Sequence, residues 1–150
     1  MAILIGTVSA EDLNGAYATA RTHGLAVFGV RDLEALERVY FHRAHTGEAF
    51  FFYFCTPAVA APGVVVAAGR VAGVWKDVPE TKDLAGVSAE FEAVFGRRWE
   101  DVVVGAEREK LFGLWRGYIG VTGLQPYPET TVNSIKESAG RARIYELLLG

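Results

Sequence analysis

The chain has 150 residues, 51% of them apolar and 22% charged, with a net charge of -3. This is globular rather than disordered composition, enough to bury a core as a single domain over residues 1–150, and it excludes a protein that coats nucleic acid by charge alone. No apolar run approaches the roughly 20 residues a bilayer span needs, and Met1 to Gly6 has no basic n-region before polar Ser9, Glu11 and Asp12, so neither membrane association nor a signal peptide is expected and the cytoplasm is the default location.

Ala2 to Val8 is rich in Ile, Leu and Val and reads as a buried strand. Ser9 is suited to cap a helix whose apolar positions Leu13, Ala16, Tyr17 and Ala20 recur at helical spacing, with Gly24 placed to end it. Leu25 to Val30 is a second short strand, and Asp32 can cap a second helix with Leu33, Leu36, Val39 and Tyr40 as its apolar stripe. After the turn Thr46-Gly47-Glu48, Ala49 to Cys55 is a strongly β-prone aromatic strand, and Val64 to Trp75 pairs with it as a hairpin.

Lys76 to Val87 is polar and irregular, and Ser88 to Phe95 is a short helix ended by Gly96. Asp101 to Gly105 has no assignable state. Leu111 to Thr122 is expected as a strand, Gln125-Pro126-Tyr127-Pro128 as a loop, Thr131 to Ser138 as a short helix and Ala142 to Leu149 as the last strand. The order does not alternate regularly enough for a doubly wound parallel sheet. The fold class is α+β: a curved mixed β-sheet or small open barrel with flanking helices.

Tests for catalytic chemistry come out negative. No phosphate-binding glycine loop and no G-x-S-x-G is present. His42, His45 and Glu48 have the spacing of a helix-face metal site, but no third strong ligand lies nearby, so neither a metal nor another cofactor is expected. Cys55 cannot form an internal disulfide, being the only cysteine, and within the aromatic run it reads as a buried hydrophobe. An enzyme is not the expectation.

The charge is uneven. Asp77 to Glu109 holds nine acids and four bases, while the remainder holds eleven bases and nine acids, which allows a modest basic surface. Side-chain amides are scarce, with only Asn14, Gln125 and Asn133, a depletion in the direction of a heat-adapted source. Trp75 comes at a strand end beside Lys76 and Asp77, and Phe28-Gly29-Val30-Arg31 runs from a strand into a helix cap. Pockets form at such mouths, where an aromatic face can stack on an unpaired base and Arg31, Arg43 or Arg70 can meet its edge or phosphate.

Phe28-Gly29-Val30-Arg31, the helix after it, and Gly47-Glu48 leading into Phe50-Phe51-Phe52-Tyr53 resemble EVE-type members of the PUA-like superfamily, as does Gly69-Arg70-Val71 in the next strand. The resemblance covers about residues 23–75. Four departures accompany it: no Trp in the first strand, Phe28 for the usual Trp, Glu48 for the usual Asp, and Asp32 for a frequent Asn. It implies a PUA-like pseudobarrel that binds RNA or a modified nucleobase without catalysis. On that expectation Phe28 and Trp75 stack on the base, the Val30 backbone and Arg31 read its edge, Tyr53 lines the wall, and Arg43 and Arg70 contact phosphate. The competing expectations are a protein-interaction or assembly domain with exposed aromatics, a homodimer included, and a small metal-assisted enzyme.

Overall fold

The computed structural model describes residues 2–57, 63–78, 84–105 and 115–150. The expected loop at 58–62, part of the irregular stretch at 79–83 and the first residues of the strand expected at 111–122 lie outside them. The elements run β1 (Ala2–Thr7), α1 (Ala10–His23), β2 (Ala26–Val30), α2 (Leu33–Thr46), β3 (Phe50–Thr56), β4 (Val64–Trp75), α3 (Leu84–Phe95), α4 (Trp99–Val102), β5 (Gly117–Thr131), α5 (Val132–Ser138) and β6 (Arg143–Leu148).

The helix ends follow from local chemistry. Ser9 and Asp32 accept the backbone N–H groups of Asp12 and Ala35, each at 3.1 Å. Gly24 and Gly47 take left-handed conformations at φ 73° and 65° and close the two helices.

All six strands form one mixed sheet in the order β2-β5-β4-β3-β1-β6, with β1 parallel to β3 and β6 and the other pairs antiparallel. Register shifts at three points between β4 and β5 and one between β3 and β4 increase the local twist and curl the sheet into a half-barrel. The chain end helps to tie the two edges. The Leu149 N–H donates to the Thr7 carbonyl at 2.9 Å and the Gly150 N–H to the Gly29 carbonyl, on edge strand β2, at 3.1 Å.

Strand alternation sorts the side chains onto two faces. Phe50, Phe52 and Phe54 of β3, Phe28 and Val30 of β2, and Leu13, Ala16, Leu36 and Val39 of the first two helices fill the main core. The opposite face is covered in two places. Val27, Trp115 and Tyr118 pack with Phe91, Trp99 and Val102 of α3 and α4. Ile3, Ile5, Cys55 and Val65 pack beneath Ile135 of α5. Between these covers lies the middle of β3-β4-β5.

Three elements differ from expectation. The third helix begins at Leu84, ahead of Ser88, and Trp99 to Val102 form a helical turn followed by a bridge from Val103 to Val27. β5 continues through Pro126 and Pro128 to Thr131. β2 pairs with β5 only as far as Val121, so beyond it β5 has β4 on one side alone and each proline can turn its missing N–H to the unpaired edge. Among the described residues no helix is long and apolar enough to cross a membrane.

Candidate nucleic-acid interface

On β3 the residues between the core phenylalanines, Phe51 and Tyr53, point away from the main core and remain half-buried. The ladder sets Arg70 of β4 opposite Phe51 and Ala68 opposite Tyr53, and sets Gln125 of β5 opposite Ala68. Ala68 carries only a methyl group, so rings can meet across it. Tyr53 and Tyr127 do so edge to face, with centroids 5.4 Å apart and planes at 77°. The Arg70 guanidinium lies over the Phe51 ring, 5.3 Å from its centroid.

Tyr127 is 36% exposed and Arg70 is exposed, so this window on the outer face reaches solvent. Burial, and then the neighbouring Tyr127, push the Tyr53 phenol above its ordinary value, which keeps it a neutral donor at neutral pH.

Of the residues expected to share one pocket, the structure brings together only Tyr53 and Arg70. Phe28 is 2% exposed, and Phe54 packs beside it at 5.3 Å, so its ring is internal packing rather than an open stacking face. Val30 is fully buried, and its carbonyl accepts the Arg116 N–H at 2.8 Å, so that backbone edge is already occupied. Trp75 packs in the second cluster, 5.8 Å from Tyr118 and 6.4 Å from Phe91, on the face opposite Phe28. Arg31 is exposed at the start of α2. Arg43 lines a small hollow of about 330 Å³ with Tyr40 and Glu48, where desolvation lowers its pKa. The physical reason for the dispersal is that β2 is covered on both faces and along its edge by the segment from Trp99 to Val104.

Phe51 and Tyr127 were missed. In an unbroken aromatic run the period-2 signal vanishes, and the two prolines beside Tyr127 suggest a loop.

The Nδ1 atoms of His42 and His45 already have partners. The Tyr145 hydroxyl and His42 Nδ1 lie 2.8 Å apart, His42 Nε2 is 3.5 Å from Glu48, and His45 Nδ1 is 2.8 Å from the Phe41 carbonyl, to which it can donate. Among the described residues no group of three metal-ligating side chains converges.

The described residues line two larger concavities. One, of about 700 Å³, opens at the ends of the parallel strands, where Lys136 is 3.0 Å from Glu146 and Asp32 adds a second carboxylate. The other, of about 740 Å³, runs between α1 and the turn of β5 at Gly123. Comparison with protein-family models, with curated proteins and with solved structures returns no match.

Proposed function

We propose that this chain is a PUA-like nucleic-acid-binding module that holds unpaired RNA bases, modified ones included, on the outer face of β3-β4-β5. The supporting observation is the solvent-reaching set of Phe51, Tyr53 and Tyr127 with the Arg70 guanidinium laid on one ring. An open sheet face with rings suits bases in a strand, because every base has a π-face to stack and a guanidinium can pair with phosphate. This places the ligand on an open surface instead of in a cage around Phe28 and Trp75.

The test is fluorescence anisotropy of labelled single-stranded RNA octamers. Binding is expected to saturate, and Phe51→Ala or Tyr127→Ala should each weaken it about tenfold, since stacking is worth about 1–3 kcal/mol per base. Circular dichroism checks that the variants fold. Absence of saturable binding to any RNA or modified base overturns the reading. A dimer in light scattering that Tyr127→Ala dissociates, without RNA affinity, would replace it with the assembly role.

A further inference from the structure

The outer face of the sheet continues past the ring set. Arg70, seated over Phe51, pairs across the ladder with Thr122 of β5, and Ala72, two residues on, is exposed beside it. Thr122 and Ala72 also form the sheet wall of a hollow of about 320 Å³. Its other walls are His23, Gly24 and Leu25, where α1 ends, and Val94, Phe95 and Arg97 at the end of α3. Two glycines set its back. A Cβ at Gly73 or Gly120 would fall 3.2 or 2.9 Å from the Phe95 ring, so the lack of one lets that ring lie on the sheet. Toward Tyr118 the same face is covered by α3 and α4. From Phe51 to Thr122 the distance is two strand spacings, about 10 Å.

The hollow gathers basic side chains without an acid beside them. Among the described lining residues, Arg97 and His23 are the ionisable ones and none is a carboxylate, unlike the strand-end cavity with Asp32 and Glu146. The nearby acids Glu100 and Asp101 face Arg98 instead, at 3.8 and 3.6 Å. Among the described residues, the Arg97 side chain makes one polar contact, Nη1 donating to the Gly96 carbonyl at 3.1 Å, and the His23 side chain makes none. The guanidinium therefore has further N–H groups to give. Thr122 adds a hydroxyl to the same wall.

We propose that this hollow seats the terminal phosphate of the RNA strand whose bases lie on the ring face, with Arg97, His23 and the Thr122 hydroxyl on its oxygens. The ligand is thereby a single strand with a phosphorylated end. This inference rests on the ring face binding RNA. A strand that follows the face from Tyr127 past Phe51 and Arg70 meets α3 here, so the hollow takes an end rather than a passing nucleotide. An end phosphate also carries nearly two negative charges near neutral pH, which matches two basic side chains better than one phosphodiester does.

Anisotropy of the full chain with one internally labelled octamer, ended by hydroxyl groups, by a 5′ phosphate or by a 3′ phosphate, tests it. One phosphorylated form should bind about tenfold more tightly than the hydroxyl form, the gain expected of charge-assisted contacts to the added group, and which form it is gives the direction of the strand. Arg97→Ala, at an exposed position, should remove that gain and leave the hydroxyl-ended strand unchanged, while Arg97→Lys should restore part of it. Ala72→Asp, also exposed, turns a carboxylate toward the hollow and should abolish the preference. Phe51→Ala should weaken all three forms alike. Circular dichroism checks that each variant folds. Equal affinity for the three forms, or a gain that survives Arg97→Ala, overturns the proposal while the ring-face reading stands. Failure of every form to bind overturns both.

Discussion

At the scale of single residues, Gly29 shows how closely the second cluster is fitted. A Cβ there would fall 2.1 Å from the indole of Trp115, which is itself 4% exposed. Gly29→Ala must displace that ring or the strand, and overpacking of this kind costs about 1–3 kcal/mol. A lowered urea midpoint with an unchanged slope is the expected result. Tyr53 gives a pH-dependent counterpart. Its pKa is raised in the folded protein, by burial first and by Tyr127 second, so the folded state holds the proton more tightly than the unfolded chain does. The associated stability is complete below the ordinary phenol value of about 10 and is lost as pH rises through the folded value. Tyr53→Phe should therefore reduce the fall in stability above pH 10, leaving the part due to Tyr17, whose pKa burial also raises. Because the ring remains, RNA affinity at pH 7 should be unchanged. Unfolding curves from pH 8 to 11 check the first outcome and anisotropy the second.

At the scale of elements, the helix termini carry separable contributions. Ser9→Ala removes the acceptor for the Asp12 N–H and should cost about 1 kcal/mol in thermal or denaturant unfolding. Such ends were legible in the sequence because a cap is decided within four residues; Ser9, Gly24 and Asp32 needed no knowledge of the rest of the chain, while Gly47 was legible only as part of a turn. β4 was legible over its full length for a related reason, being a long β-prone run bounded by Pro62-Gly63 and Lys76-Asp77. β5 beyond Thr122 was not. Whether a strand tolerates Pro126 and Pro128 depends on which neighbour it has on each side, and that is a property of the sheet. The same limit applied to the site. Tyr53 and Arg70 could be picked out as a ring and a cation, but their shared face follows from the Phe51–Arg70 register. Phe28 and Trp75 looked equally available, yet lie on opposite faces of the sheet, each against its own set of rings.

At the scale of the whole molecule, the curved mixed sheet with flanking helices followed from element order, while the placement of the covers did not. α3 and α4 close one part of the outer face and α5 another, so the ring set stands open because these helices stop short of it. The net charge then constrains how binding there must behave. With 15 Lys and Arg against 18 Asp and Glu, the molecule offers no broad positive field, and Arg70 is the cation seated on the Phe51 ring. Each phosphate neutralised on a single strand contributes a slope of about -0.7 to log affinity against log salt. If stacking supplies most of the affinity, the measured slope should be shallow, about -1 to -2, and Arg70→Ala should reduce its magnitude by about 0.7. A slope near -5 that Arg70→Ala leaves untouched would mean that several cations elsewhere contact the strand. The exposed Arg141, two residues before edge strand β6, and Arg143, its first residue, would then be the residues to substitute next, and the sheet face would lose its role.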